Sequence, residues 1–333
     1  MHDGGMREIR FDHFGGPEVL TLHDDAPRPE PGPEEVLVQV AYVGLNPLDF
    51  KIRDGSSARA EGLDLPAGTG REMMGVVIGA GSELDEAELG SRGVSPGTRV
   101  FGMRSPDDDR GVAAEVIAID AEDLAPIPDE VSEQDLPRWA GLALAGLTAI
   151  ATVQDTAQIR EGHTVLVHGG SGGVGQLLIP MALEAGAAQV WATGREANAE
   201  RIRDLGATPI PYDATDWTAE LQRATDGRGV DVVLDTHYHS TFLPSLDQIA
   251  EGGLIVTLPT LADISPATER GLTARIPRIR PGRDRLDRLV QGIRAGRYPL
   301  EVSQVLPMDQ IDRAHELLAA GHTRGKLVLD ITS

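Results

Sequence analysis

Apolar residues run in short stretches or alternate with polar ones through Glu35 to Val43, Gly75 to Gly81, Arg99 to Gly102 and Ala113 to Ile119, with Gly and Pro punctuating the intervals. This pattern predicts that residues 6 to 130 are mostly β. From about residue 133 the pattern changes to alternating helices and strands. Strands are predicted at Thr164 to His168, Gln189 to Thr193, Val230 to Leu234 and Leu254 to Leu258. Strands separated by helices imply a parallel sheet with right-handed crossovers. Leu286, Leu289, Val290 and Ile293 recur at helical spacing between Arg285 and Arg294, and Ile311 to Leu318 is similarly amphipathic. The closing run from Lys326 to Ile331 predicts a strand that returns to the first domain. The longest apolar stretch, Trp139 to Val153, is too short and too rich in Ala, Gly and Thr for a membrane span, and predicts a buried helix.

Between the Thr164 to His168 strand and the helical segment Gln176 to Ala185 lies the run Gly169-Gly170-Ser171-Gly172-Gly173-Val174-Gly175. A strand, a glycine-rich turn and a helix in that order form the context of a dinucleotide site. In this reading Gly170 permits the tight turn, Gly172 admits the pyrophosphate close to the backbone, and Gly175 lets the helix pack on the sheet. Ser171, Gly173 and Val174 complete the cradle, and the helix N-terminus presents N–H groups to an anion. The alternative is an ordinary flexible glycine loop.

Composition narrows the chemistry. A length of 333 residues suggests two domains, and 41% hydrophobic residues suffice for globular, soluble cores. The absence of cysteine excludes disulfides, thiolate metal sites and a cysteine nucleophile. A net charge of −22 disfavours nucleic acid, whose binding requires clustered Lys and Arg. Lys51 and Lys326 are the only lysines. Met1 to Gly5 shows neither a basic region nor an apolar core, so no secretory signal is visible and the cytoplasm is the default expectation. No membrane partner is expected. Ser105 to Arg110 is acidic but lacks the glycine turn and terminal glutamate of an EF-hand, and reads as a solvated turn.

Several segments together resemble the medium-chain dehydrogenase/reductase superfamily, in its zinc-independent quinone oxidoreductase and enone reductase branch. They are Gly44 to Gly55 (GLNPLDFKIRDG), Gly70 to Val77 (GREMMGVV), Gly146 to Ala149 (GLTA), the glycine run, and Gly325 to Val328 (GKLV). The resemblance implies an α/β protein with a β-rich GroES-like catalytic domain, residues 1–137 and 281–333, and a Rossmann doubly wound parallel-sheet domain, residues 138–280. It also implies a homodimer. Zinc alcohol dehydrogenases carry histidine in a Gly-His-Glu segment, whereas Arg71 stands here, and their cysteine ligands are missing. No metal site is therefore expected. His237 and His239, which could share one face of a short strand, lack a third ligand nearby in sequence.

Without metal, hydrogen-bond donors must stabilise the charge that builds on a carbonyl oxygen during hydride transfer. The resemblance places Asn46 and Lys51 beside the nicotinamide. Asn46 would hold the cofactor or substrate, and the Lys51 ammonium would polarise the carbonyl or relay a proton. The alternative is that Asn46 and Asp49 form a turn and helix cap while Lys51 is simply exposed.

Cofactor choice is read at the end of the second nucleotide-domain strand, where an NAD enzyme presents a carboxylate. Here Thr193 and Gly194 are small enough to admit a phosphate and Arg195 can pair with it, which favours NADPH, although Glu196 is close by. Tyr212 matches the family's tyrosine near the adenosine phosphate, or is a core or loop aromatic. Thr148 is expected near the nicotinamide, with a plain helix residue as the alternative, and Lys326 joins the cofactor set through the Gly325 to Val328 match. The function implied is NADPH-dependent reduction of a small-molecule quinone or enone. A reductase of enoyl thioesters or biosynthetic intermediates, and a crystallin-like or sensory NADPH-binding protein without turnover, are the competing readings.

Overall fold

A computed structural model describes residues 5–105, 108, 110–259, 261–321 and 323–333. The chain divides into two units, one of Met1–Leu144, Arg280–Arg294 and Glu301–Ser333, the other of Ala145–Ile279 and Ala295–Leu300.

The first unit is organised by the strand Glu35–Leu45, in which buried Val36, Val38 and Val40 alternate with Leu37 and Gln39. That period of two sets one face of the sheet into the core. The seven-stranded sheet runs Val302–Pro307, Lys326–Asp330, Glu35–Leu45, Glu72–Ala80, Arg99–Met103, Leu124–Pro126, with Val116–Asp120 also paired to Glu35–Leu45. The expected C-terminal strand thus pairs antiparallel with a strand from the start of the chain. Register places Gly44 opposite Glu72 on one side and Val328 on the other. The chain therefore leaves the central strand at Asn46 beside the starts of both neighbouring strands, and enters the helix Pro47–Arg53. A three-stranded sheet of Thr21–Ala26, Met6–Phe11 and Ala67–Gly68 completes this unit's β-structure.

Several boundaries differ from expectation, most of all the strand predicted from Leu254, which begins at Ile249, and two of the differences have identifiable reasons. The strand predicted from Gly75 begins at Glu72, because the Glu72 carboxylate is neutralised by Lys326 and so tolerates full burial. The strand predicted from Ala113 begins at Val116, since Ala114 makes only an isolated bridge to Glu8.

The second unit holds a six-stranded parallel sheet in the order Thr208–Pro211, Gln189–Gly194, Thr164–His168, Val230–Asp235, Ile249–Thr257, Thr273–Arg275. Counted along the chain this is 3-2-1-4-5-6, the doubly wound order, with the switch between Thr164–His168 and Val230–Asp235. Sequence pattern misses both edge strands. Pro209 and Pro211 break the signal in one, and an edge tolerates them because one side of the strand needs no donors. The apolar stretch from Trp139 forms not one helix but Leu136–Ala140 and Ala143–Ile150, interrupted at Gly141 and Leu142. Among the described residues no single helix is long and apolar enough to cross a membrane.

Candidate active site

In the second unit, three neighbouring strands end on one side of the sheet, at His168, Gly194 and Asp235. The glycine run follows the first and leads into the helix Gly175–Glu184. Its left-handed residue is Gly169, with φ +72°, so the turn is made there and not at Gly170. Gly170 is required for packing instead, since a Cβ would lie 2.7 Å from that of Ala192. At Gly175 a Cβ would lie 2.0 Å from Gly169 O, so the helix starts directly against the end of the strand. A Cβ on Gly172 would meet only Gly169 O, at 3.3 Å, which leaves its outer side open. The first turn of a helix has N–H groups with no intrahelical acceptor and the positive end of the dipole. This cradle fits a pyrophosphate.

Buried hydrogen bonds fix the loop. Gly170 N–H donates to Thr193 O at 2.9 Å, and Gly169 N–H to Thr193 Oγ1 at 3.2 Å. Thr193 Oγ1 lies 3.1 Å from His168 Nδ1, while His168 Nε2 lies 2.8 Å from Ser245 Oγ. Ser245 donates its proton to Thr241 O at 2.7 Å, so His168 carries its ring proton on Nε2 and accepts from Thr193 on Nδ1. Burial pushes this imidazole down to about 4, against the pull of Asp235, and it is neutral. Asp235 Oδ1 in turn accepts from His237 N, Tyr238 N and Thr241 Oγ1, at 3.0, 3.0 and 2.6 Å.

The residues assigned to the adenosine end separate into two groups. Thr193 is buried and its hydroxyl faces the loop, so it supports the cradle rather than presenting itself to a phosphate. Gly194 ends the strand, Arg195 is exposed just beyond it, and the half-exposed Tyr212 donates its N–H to Gly194 O at 3.1 Å. Thr148 is buried in the helix Ala143–Ile150. His237 and His239 do not share a strand face: they lie in the turn after Val230–Asp235, where Tyr238 adopts φ +70° and His239 N–H donates to His237 O. Among the described residues no group of three or more His, Cys, Asp or Glu is placed to hold a metal ion.

In the first unit, Asn46, Glu72 and Lys326 form one buried cluster. Lys326 Nζ donates to Glu72 Oε1 at 2.7 Å and to Asn46 Oδ1 at 2.5 Å, while Asn46 Nδ2 donates to Glu72 Oε1 at 2.9 Å. Leu144 N–H donates to Glu72 Oε2 at 2.7 Å. Asn46 is also the N-cap of Pro47–Arg53, and its N–H donates to Asp49 Oδ2 at 2.7 Å. The cap reading of Asn46 and Asp49 therefore holds alongside any functional one. Lys51, on the same helix, is partly exposed, and its ammonium has no hydrogen-bonded or ionic partner among the described residues. Glu72 was not singled out from sequence; a lone carboxylate flanked by Met73 and Met74 in an apolar run was the available signal.

Two further charged groups sit close by. Asp49 is buried, and burial raises its carboxyl to about 7 although the Asn46 N–H, Lys326 and Arg71 oppose the shift. Arg71 is buried too, and desolvation followed by repulsion from Arg59 lowers it to about 10. Its guanidinium donates to Ser105 O at 2.9 Å, to Arg110 O at 3.3 Å, and to Asp108 O. In the acidic segment read as a solvated turn, Asp108 pairs with Arg104 and Arg110; Pro106, Asp107 and Asp109 lie outside the described residues.

Residues 32–129 match the alcohol dehydrogenase GroES-like domain family, and residues 205–329 the zinc-binding dehydrogenase family. The chain is 30% identical to a quinone oxidoreductase of Pseudomonas aeruginosa, over 97% of this chain and 99% of the relative. It is 26% identical to a 2-haloacrylate reductase of a Burkholderia species, over 95% and 96% respectively. The crystal structure of Escherichia coli quinone oxidoreductase complexed with NADPH superposes with a TM-score of 0.84 at 27% identity, covering 97% of this chain and 99% of that one.

Proposed function

This chain belongs to the medium-chain dehydrogenase/reductase superfamily, in its quinone oxidoreductase branch, and from that premise we propose that it is an NADPH-dependent, zinc-independent reductase of quinones or α,β-unsaturated carbonyl compounds. The observation that carries the reading is the cradle at Gly169 to Gly175 in a chain alike, over nearly its whole length, to enzymes named for this chemistry. The likeness to an NADPH complex supports the choice of cofactor.

Bound NADPH supplies the hydride. The backbone of Gly170, Ser171, Gly172, Gly173, Val174 and Gly175 holds the pyrophosphate at the helix N-terminus. Arg195, exposed at the strand end, pairs with the ribose phosphate, and Tyr212 flanks it. Thr148 contributes at the nicotinamide end. In the catalytic unit, the cluster of Glu72 and Lys326 holds the Asn46 amide in one orientation, and the unpartnered ammonium of Lys51 is free to relay a proton or to add to the polarisation of the acceptor. Lys326 acts through Asn46, as a support for the site. The absence of cysteine supports a reaction without a catalytic zinc ion held by thiolates.

The same reading takes the protein as a cytoplasmic homodimer with neither nucleic acid nor membrane as partner, in keeping with a net charge of −22. The test is the absorbance of NADPH followed with a panel of quinones and enones. Turnover of at least one class is expected; tight NADPH binding with no turnover of any acceptor would overturn the reading.

A further inference from the structure

We propose that Asp49 and Arg71 form the seat of the acceptor's carbonyl oxygen, and that the Asp49 carboxylic acid donates the proton that completes the reduction. This rests on the reductase reading above. A cavity wholly within the first unit is lined by the polar residues Asp49, Arg59, Thr69 and Arg71 and by the apolar Phe11, Ile52 and Leu63. Within it the centre of a water-sized group can occupy only about 10 Å³. That is room for roughly one oxygen atom.

A carboxyl oxygen without a partner and a guanidinium with donors to spare both line this cavity. Asp49 Oδ2 accepts from Asn46 N–H, whereas Asp49 Oδ1 is buried with no hydrogen-bond partner. Arg71 has five N–H donors, and its bonds to Ser105, Asp108 and Arg110 leave Nε–H and one Nη1–H without an acceptor among the described residues. Buried polar groups are ordinarily paired. A carbonyl oxygen seated there would accept from the guanidinium and from a protonated Asp49.

In this step NADPH is the hydride donor and leaves as NADP⁺. Hydride adds to the β-carbon of the enone, the alkene pair moves between the α-carbon and the carbonyl carbon, and the carbonyl π pair moves onto oxygen. Arg71 stabilises that oxyanion and the Asp49 O–H bond breaks to form the enol, which tautomerises to the saturated ketone. Solvent returns a proton to Asp49. The charged groups facing Asp49 are Lys326, Arg71 and Glu72, with Lys51 and Arg53 on its own helix and Arg59 across the cavity. Burial outweighs them and lifts the carboxyl to about 7, so the acid form is populated at neutral pH.

The experiment is the pH profile of kcat/KM for 2-cyclohexen-1-one with NADPH, in the unsubstituted protein and in Asp49→Asn. The expected result is a rate that falls as pH rises through about 7, with that limb absent and kcat about 10²-fold lower in Asp49→Asn while NADPH binding is unchanged. An unchanged kcat and profile in the variant would overturn the proposal and leave the reductase reading standing. Failure of the unsubstituted protein to reduce any enone or quinone would remove the reductase reading and the proposal with it. Should the variant not fold, infrared difference spectra of the unsubstituted protein decide: 2-cyclohexen-1-one added with NADP⁺ should shift a protonated-carboxyl band, and no shift counts against the seat.

Discussion

Lys326 Nζ and Glu72 Oε1 meet at 2.7 Å although 254 residues separate them in sequence. Register creates the pair, because the strands beginning at Lys326 and Glu72 flank the same end of Glu35–Leu45. Both side chains are almost fully buried, so neither charge has water as an alternative partner. Removing one partner leaves the other ionised in a medium that solvates it poorly. Glu72→Ala should therefore lower unfolding stability by about 3–5 kcal/mol in urea titrations. Asn46→Ala, which removes only a neutral member of the cluster, should lower it by about 1–2 kcal/mol.

In the proposed reading Arg195 sets the choice between cofactors. It is exposed beyond the Gln189–Gly194 strand, next to Glu196, whose N–H is held by Asp213 Oδ1 at 2.8 Å. A charge-assisted contact to the ribose phosphate is worth about 1.5–3 kcal/mol. Arg195→Ala should raise the KM for NADPH by about 10- to 150-fold and leave that for NADH nearly unchanged. Steady-state kinetics with both cofactors and one acceptor checks this; an equal effect on both would remove Arg195 from the phosphate site.

Gly175 and Gly172 should respond differently to the same added methyl. At Gly175 the Cβ would sit 2.0 Å from Gly169 O, so the backbone must shift, at a cost of about 1–3 kcal/mol. Gly172→Ala meets only one atom, at 3.3 Å, and the fold should accept it. Thermal unfolding without cofactor should drop for Gly175→Ala and hold for Gly172→Ala. Calorimetric titration should nonetheless show weaker NADPH binding for both, because the Gly172 methyl points into the open side of the cradle.

Sequence pattern finds what is continuous along the chain. The strand, glycine run and helix from Thr164 to Glu184 are legible because the period changes where the glycines stand. The roles of individual glycines are less so: which residue takes φ > 0 depends on how Thr193 holds Gly169 and Gly170, a contact between strands. Glu72 escapes notice because its partner is 254 residues away. Asp49 and Arg71 look like a helix cap and a substituted histidine until burial leaves one with an orphan oxygen and the other with carbonyl acceptors. Residues that act through tertiary neighbours carry little local signature.

Acid should unfold this protein through histidines held neutral. His315 lies fully buried in the helix Ile311–Ala319, with Arg53 Nη1 3.4 Å from its Nδ1 and no partner for Nε2. Burial, then the Arg53 charge, pushes it down to about 3. His168 is depressed to about 4 by burial in the cradle's support. The unfolded chain holds both near 6.5, so between 6.5 and those depressed values it binds protons that the folded chain refuses. The histidines' contribution to stability is thus fully present above about 6.5 and is lost as pH falls toward 3, while Asp49, raised from 3.8 to about 7, contributes in the opposite sense as pH falls from 7. Urea midpoints measured at successive pH values should fall less steeply with acid in His315→Leu than in the unsubstituted protein, since leucine fills the site and takes no proton in either state. A slope unaffected by His315→Leu would assign the acid sensitivity elsewhere, to His168 or to the paired carboxylates.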